Sequence, residues 1–541
     1  MTRKKLLHFF FVTLALCLAI APVFSLEVDE PEIRSVAGDT VEFINYNGPH
    51  SVINTLEQIK SIGTGLGVVI APNRDVSTTA GGRNRYYVIH AVDPTTEEKL
   101  DADILIIGED ATVDHIRNLR HIIASYLVAA YDYSEADAQT LAVFVTVYNA
   151  VYRGNMEVFN QRYKSVVTDN LTPDKAGLSV NYADWPGKSQ IVIPLSSTEG
   201  GLGTVDTTVI SDKEVIDSMR EDDDMGIDDR KDLVDIKERE ADLAEEKAAE
   251  AQQEATQETE KLREEQQELR EAQKEATEAK QEAQQDQAEA QRNPDDEQAQ
   301  QRAEEAQQKA DEAQEAVDQQ KEVVQEQQQV VEEKQREAEE QQEIADQKRE
   351  EARHDRAEIA KDQQKLIEQG YSDAEGVFGL KYIDDTYSVL VKLNKENGNL
   401  IKESPVTVIR GRTVVPAAEN FMAIAGTNTG NGAVKLVLLD TEGMEIIAQS
   451  NEVAAEKSVL VKDGSDYYAV IKDGGNWLIG KYNNQLQLLL KSKIAVHEAT
   501  PITLTDSGLI VTDPKGIARL LSYDDLSLVD TSNPVQVINE K

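Results

Sequence analysis

Apolar residues recur at every seventh position through the middle third of the chain. The first series consists of Val234, Ala241, Ala248, Ala255, Leu262, Leu269, Ala276, Ala283 and Ala290. The second series consists of Ala303, Ala310, Val317, Val324, Val331, Ala338, Ala345, Ala352, Ile359 and Leu366. A spacing of seven keeps one apolar stripe on one face of an α-helix. The two series therefore predict long helices, although a composition dominated by Glu, Gln, Ala and Lys is also found in disordered segments.

The two series are out of phase because an Asn-Pro-Asp-Asp sequence interrupts them at 293–296. This sequence combines a helix stop with an N-cap, a proline at the first helical position and acidic first-turn residues. Positions mirrored about the break match in size, since large residues meet in the middle and at the base and alanine faces alanine almost everywhere else. The large pairs are Leu269 with Val324, Leu262 with Val331 and Val234 with Ile359. A kinked rod would not need such matching. We therefore predict an antiparallel coiled-coil hairpin over 229–369, roughly 90–110 Å long at 1.5 Å per residue.

Shorter periodicities before the hairpin predict a globular region over 26–200. Strands are expected near 41–46, 86–89, 104–107 and 190–193, where apolar and β-branched residues are bounded by turn residues. Between 112 and 167 the apolar spacing becomes helical. The pattern predicts a small α+β domain, followed by an acidic linker over 201–228.

A strand pattern repeats after the hairpin, between residues 371 and 541. In each repeat an apolar strand ends at a polar turn residue, namely Asn394, Asp440, Asn483 and Asp524. Spacings near 40–45 residues with about four short strands per unit are typical of propeller blades. The sequence therefore predicts a C-terminal all-β repeat domain, either a small or incomplete propeller or a β-sandwich.

The N-terminus has the pattern of a secretory signal peptide over 1–25. A basic start is followed by an apolar run from Leu6 to Ile20, and Val23 and Ser25 are small enough for a cleavage site. An uncleaved anchor is the alternative, but the run is short for a membrane-spanning helix. The only cysteine, Cys17, lies within this run, and Leu16 is too large for the residue before a lipidated cysteine. Cleavage after Ser25 would leave no cysteine for disulfides, thiolate metal sites or nucleophiles.

The overall charge limits the classes of partner. The formal net charge is −44 and the isoelectric point is about 4.5. Nucleic acids and anionic lipids would be repelled by such a chain. We expect an exported protein of the periplasm or cell envelope, with no membrane span after cleavage and with unidentified envelope proteins as partners.

Few residues suggest chemistry. The glycines of Gly63 to Gly67 lack the spacing of a phosphate-binding loop and are expected to form a helix C-cap and a loop. His115 and His121 lie six apart, which does not converge on a metal, so His121 is expected to be a surface or capping residue. His90 and His497 stand alone in the sequence. Calcium at the turns, through Asp440, Asp524 and Asp525, is an alternative to ordinary turn chemistry. We predict no catalytic, cofactor-binding or metal-binding residues, and no enzyme.

Several stretches resemble a family of large spirochaetal antigens, first known from Borrelia and named for an eighty-three to one-hundred kilodalton protein. The matching stretches run from Glu42 to Pro49, Tyr148 to Gly154, Ala176 to Ser179 and Trp185 to Leu195, with a weaker likeness in the C-terminal strands. The resemblance implies a spirochaetal envelope protein and offers no catalytic residues. Without it, Gly154 would cap a helix and Trp185-Pro186-Gly187 would be a turn before an edge strand.

Three functions are compatible with these features. The first is a structural scaffold, in which the hairpin returns the chain to its start and holds the two end domains side by side. The second is a binding module, in which the C-terminal β domain recognises a protein or ligand on a coiled-coil stalk. The third is a hydrolase, for which no residue suggests a nucleophile. An alanine-rich seam buries little apolar area, so self-association through the coiled coil is a further expectation.

Overall fold

The fold consists of an N-terminal α/β unit, a long helical hairpin and a C-terminal β region, which confirms the predicted multidomain architecture. A computed structural model describes residues 41–50, 52–96, 99–222, 224–368, 376–428 and 433–529. The predicted signal peptide at 1–25, with Cys17, lies outside the described residues. We call residues 41–222 the N-terminal unit and residues 376–529 the β region.

The N-terminal unit packs helices against a four-stranded antiparallel sheet of order β1-β2-β3-β4. In chain order its elements are α1 (Leu56–Ile70), β1 (Thr78–Gly82), β2 (Tyr86–Ala91), β3 (Asp101–Ile107), α2 (Ile116–Tyr131), α3 (Glu135–Val151), α4 (Met156–Arg162), α5 (Ser165–Thr168), β4 (Ser189–Leu195), α6 (Thr207–Ile210) and α7 (Lys213–Met219). Strands β3 and β4 are buried almost throughout, because helices and loops cover both faces of the sheet. The strand expected at 41–46 is reduced to one bridge between Ile44 and Asn181.

Helix α1 continues through the glycine sequence, so the loop predicted at 63–67 is wrong. The helix begins at a capping box formed by Thr55 and Gln58. A Cβ on Gly63 would lie 2.0 Å from the carbonyl oxygen of Ile122 in α2. A Cβ on Gly67, one turn later, would lie 2.7 Å from the backbone of α2 at Tyr126 and Ala130. These glycines therefore allow the two helices to approach closely. From the sequence alone, this role cannot be distinguished from that of a helix C-cap, because glycine is expected in both.

The segment predicted as an acidic linker is folded. Residues 201–228 contain α6 and α7, whose side chains of Ile210, Val215 and Met219 join the core of the N-terminal unit. Asp206 and Asp212 cap these helices by accepting from backbone N–H groups. The acidic residues are helix caps here, and the apolar residues between them provide the packing.

The hairpin consists of α8 (Ile227–Arg292) and α9 (Glu297–Glu368), which pack antiparallel as predicted. Ala283 and Ala310 share one apolar cluster near the tip, and Val234 and Ile359 share another at the base. At 66 and 72 residues the helices extend about 100 Å. The turn differs in detail from the prediction: Asp296 accepts from the N–H groups of Gln298 and Ala299, so Asp296 is the N-cap and Pro294 lies in the turn.

The β region consists of three antiparallel sheets. Its strands are β5 (Gly376–Tyr382), β6 (Ser388–Asn394), β7 (Leu400–Glu403), β8 (Ile409–Ala417), β9 (Asn420–Ala425), β10 (Lys435–Leu439), β11 (Ile446–Gln449), β12 (Val461–Asp463), β13 (Asp466–Asp473), β14 (Asn476–Tyr482), β15 (Leu488–Lys491), β16 (Thr503–Thr505), β17 (Gly508–Thr512) and β18 (Ala518–Leu521). One sheet joins β5 to β11, the next β12 to β15 and the last β16 to β18. Within the described ranges these sheets close into neither a barrel nor a propeller.

The repeat in the β region is formed by its turns. The side chains of Asn394, Asp440 and Asn483 each accept from backbone N–H groups two or more residues ahead. The fourth turn begins two residues before the predicted Asp524: Ser522 donates its N–H to Ser527 and accepts from the N–H of Asp524. Serine can replace asparagine here because its hydroxyl accepts the same kind of bond, more weakly.

Candidate functional site: the junction of the two ends of the chain

Helix α2 of the N-terminal unit contacts the turn between β10 and β11 of the β region. The His121 Nε2 lies 2.8 Å from both carboxylate oxygens of Glu445. Only 9% of His121 and 6% of Glu445 are exposed. Gln139 binds the other ring nitrogen of His121 at 3.0 Å. We call this contact, together with the hydrogen bond from Arg117 to the Gly443 carbonyl, the interdomain junction.

A second set of bonds extends the junction to the beginning of the described chain. The Thr407 hydroxyl donates to the Gly48 carbonyl at 2.9 Å, and the Thr427 hydroxyl donates to the His50 carbonyl at 3.1 Å. Ile53 packs against the apolar core of the first sheet of the β region. The first described residues are therefore bonded to the β region, although more than 350 positions separate the bonded partners.

The shape of the turn explains why Glu445 and the Gly443 carbonyl point towards α2. Asp440 accepts from the backbone N–H groups of Glu442, Gly443 and Glu445. This arrangement uses both carboxylate oxygens of Asp440 within its own turn. Within the described residues, no cluster of three or more His, Cys, Asp or Glu side chains has the arrangement of a metal site.

The electrostatics of the junction favour a fixed contact. His115 caps α2 by accepting from the N–H of Arg117 through its ring nitrogen. Burial, and after it the charge of Arg117, lowers the pKa of His115 to about 3, so its ring is neutral and available as an acceptor. Burial also lowers the pKa of Arg117, whereas the charges of Glu445 and Asp440 raise it. His121 was expected on the surface or at a cap; that prediction is wrong, because the β region covers it.

The base of the hairpin is bound to the N-terminal unit through Arg220, Asp137 and Thr207, beside ion pairs that join its own two helices. Asp362 of α9 accepts from Arg230 at 3.0 Å and from Arg220 at 2.8 Å. Arg239 of α8 forms a two-pronged ion pair with Asp137 of α3. Lys348 lies 3.0 Å from Glu240, which also accepts from the Thr207 hydroxyl. These bonds fix the direction in which the hairpin leaves the N-terminal unit.

His90, which stands alone in the sequence, belongs to a buried polar cluster. Its Nδ1 lies 2.6 Å from Asp103, and its Nε2 lies 2.7 Å from the carbonyl oxygen of Arg74. The hydroxyls of Tyr126 and Tyr131 both donate to the second oxygen of Asp103. Because both ring nitrogens face acceptors, both carry protons, and the pair is an imidazolium and a carboxylate. Sequence spacing does not reveal this cluster, since it joins two strands and a helix.

The stretches that carry the family resemblance have structural roles. The Asn149 side chain bonds both the N–H and the carbonyl of Val192 in β4. Trp185 is fully buried and donates to the Ser179 carbonyl at 2.7 Å. Gly154 has a φ of 72°, a conformation that favours glycine after a helix.

His497, the other histidine that stands alone in the sequence, accepts from the N–H of Ala499 in a turn.

The comparisons with known proteins agree with the resemblance seen in the sequence. The family model described as Borrelia P83/100 protein matches residues 30–503, which is most of the chain. A comparison with curated proteins finds no match. Among the helices that the structure describes, none has the length and apolar content needed to cross a bilayer.

Proposed function

The chain belongs to the Borrelia P83/100 family, and from its architecture we propose that it is an exported, non-enzymatic scaffold of the cell envelope. The interdomain junction is the observation that supports this proposal. It joins the N-terminal unit to the β region through a buried His121–Glu445 contact, while the hairpin projects from them as an arm about 100 Å long. Such an arrangement separates the folded ends from the tip by a fixed distance.

The geometry supports a scaffold more directly than a stalk that carries an independent binding module. A stalk would leave its terminal module free of the first domain. Here Gly48, His50 and Arg117 are bonded to the β region. The base of the hairpin is bonded to α3 and to Arg220, which directly follows α7. The surface offered to envelope partners therefore combines the N-terminal unit and the β region.

Lysine cross-linking in intact cells, read by mass spectrometry, tests this proposal. We expect Lys247 to link with Lys348 and Lys274 with Lys321, because these pairs lie at matching heights of the hairpin. We also expect links from the N-terminal unit and the β region to a small set of envelope proteins. Hairpin links without any link to another protein would overturn the scaffold and favour a ligand-binding β region. Absence of the hairpin links themselves would contradict the architecture.

A further inference from the structure

The two lateral faces of the hairpin differ in composition. Large apolar residues of the hairpin that remain exposed are Val323, Val330 and Ile344, at 40%, 38% and 38%. Their spacings of 7 and 14 place them on one heptad position of α9, next to the seam. Glu337, which pairs with Lys334, occupies that position between Val330 and Ile344. The corresponding position on the other lateral face carries Lys321, Gln328, Gln335 and Gln342. We call the first of these the apolar lateral face.

At the base of the hairpin, the N-terminal unit already covers the apolar lateral face. Glu351 lies one heptad beyond Ile344 and accepts from the Thr208 hydroxyl, and Glu358 lies one heptad further and binds Arg220. On α8, Glu240 and Lys247 are on the same side of the hairpin and bind Thr207 and Glu199. The exposed stripe is thus the continuation of a face that is used as an interface one heptad further towards the base.

Near the tip, the charged residues of this face form ion pairs between α8 and α9, but the corresponding positions of α9 in the middle of the face do not. Arg302 pairs with Glu289 at 3.4 Å, and Lys309 pairs with Glu282 at 3.2 Å. Two heptads further along α9, valine replaces the cation. The middle of the face therefore presents Val323, Val330 and Ile344 of α9 beside the charged side chains of Lys261, Glu268 and Glu275 of α8. Near the tip, the cations of this face are paired within the chain.

We propose that the apolar lateral face binds the same face of a second copy, in antiparallel orientation. In a two-fold dimer, the same surface patch of each copy contacts that patch of the other copy. A heptad stripe along a straight pair of helices can form such a contact. A parallel pair would bring both N-terminal units, which lie on this face, into collision at the base. An antiparallel pair places each N-terminal unit beside the tip of the other hairpin, which no part of its own N-terminal unit covers.

The available area is sufficient for a dimer. The stretch from Ala316 to Ile344 is about 40 Å long, and two helices side by side are about 20 Å wide. Together these dimensions give about 800 Å² per copy, the size of a standard interface. A half-turn about the height of Val330 would place Ala316 of one copy beside Ile344 of the other.

Sedimentation of the full chain tests the dimer. We expect the wild type to be a dimer at micromolar concentration and Val323→Lys with Val330→Lys to be a monomer with unchanged helix content. Gln328→Lys with Gln335→Lys adds the same charges to the opposite face and should remain a dimer. A wild type that is monomeric at every concentration, or two double variants that behave alike, would overturn the proposal.

Disulfide formation tests the orientation, in chains where Cys17 is replaced by serine. A single Val330→Cys variant should form a covalent dimer, and a mixture of Ala316→Cys and Ile344→Cys should form a mixed dimer. Gln328→Cys is the control and should stay monomeric under the same oxidation. Efficient dimerisation of Ile344→Cys alone would show parallel copies and would contradict the antiparallel arrangement. Because these experiments use purified protein, their outcome is independent of any envelope partner.

Discussion

At the scale of single residues, the N-terminal unit depends on a charged pair at its centre. Burial by itself would lower the pKa of His90, but the hydrogen bond and the charge of Asp103 outweigh it and raise that pKa above its ordinary value. Burial and the same carboxylate raise the pKa values of Tyr126 and Tyr131 well above 10. The four side chains satisfy one another, which is the condition for keeping charge in a core.

This pair predicts that the N-terminal unit loses stability as the pH rises. The contribution of His90 is complete below its unfolded pKa of about 6.5 and is lost as the pH passes its raised folded pKa. Urea unfolding followed by tryptophan fluorescence should give a free energy that falls by up to about 1.4 kcal/mol per pH unit above pH 6.5. His90→Gln should remove this slope, whereas His497→Gln should retain it. Equal slopes in the wild type and His90→Gln would exclude a charged His90.

The glycines of α1 give a second prediction, with opposite signs within one helix. Gly63→Ala would place a methyl group 2.0 Å from the Ile122 carbonyl oxygen. This oxygen belongs to the backbone of α2 and cannot move aside as a flexible side chain could. Overpacking of this kind should destabilise the chain by about 1–3 kcal/mol. A Cβ on Gly65 meets nothing within 4 Å, so Gly65→Ala should stabilise by about 0.5–1 kcal/mol through helix propensity. Thermal unfolding of both variants checks this, and two destabilised variants would contradict it.

At the scale of elements, the hairpin has one seam position that is apolar throughout and a second that is mixed, since it carries buried alanines such as Ala251, Ala279 and Ala306 as well as polar residues. The heptad series shows the apolar position, and the mirror matching follows from it. The second position carries Arg230, Lys237, Gln320, Gln327 and Asp362, which pair across the seam with opposite charges or amides. Buried polar partners specify register, because a slip of one heptad would leave them unpaired. Attention to every seventh residue alone therefore identifies the hairpin but not what fixes its register.

The buried carboxylate of Asp362 gives the third prediction. Hydrogen bonds from Lys365, Arg220 and Arg230 hold its pKa at about 2 against the opposing effect of burial. Asp362→Ala would leave Arg230 buried without its counter-charge and should cost about 3–5 kcal/mol. Circular dichroism at 222 nm during urea unfolding measures the loss. Asp318→Ala is the control, since Asp318 is exposed and bonds only to its own helix, and its unfolding curve should match the wild type.

Local chemistry also decides what could be predicted of the β region. The turns at Asn394, Asp440 and Asn483 depend on side chains that bond within a few residues, so their repeat is visible in the sequence. Whether successive sheets close on themselves depends on the angle between sheets, which no single turn encodes. The prediction of repeated strands was therefore confirmed, while a closed propeller was not found.

At the scale of the whole molecule, the junction could not be predicted from the sequence, because it depends on contacts between distant parts of the chain and not on local bonds. His121 and Glu445 are 324 positions apart, and neither has a pattern that distinguishes it from a surface residue. Their contact exists because the hairpin returns the chain to its start. The mirror matching in the hairpin predicts that return, so the neighbourhood of the two ends was predictable although the bonded pair was not.

The fourth prediction tests whether the junction holds the two ends together. Arg117→Ala with Glu445→Ala removes the bond to the Gly443 carbonyl and leaves His121 without its carboxylate partner. Hydrogen bonds to charged groups are worth about 1.5–3 kcal/mol each, so two losses should weaken the contact and increase the fraction of molecules with a released β region, although the bonds of Thr407 and Thr427 remain. Small-angle X-ray scattering should then show a larger radius of gyration with an unchanged helical signal. Arg83→Ala with Glu442→Ala removes the same charges from exposed positions and should leave the scattering curve as in the wild type. If both double variants scatter alike, the base of the hairpin holds the β region in position by itself, and the junction does not contribute to holding it there.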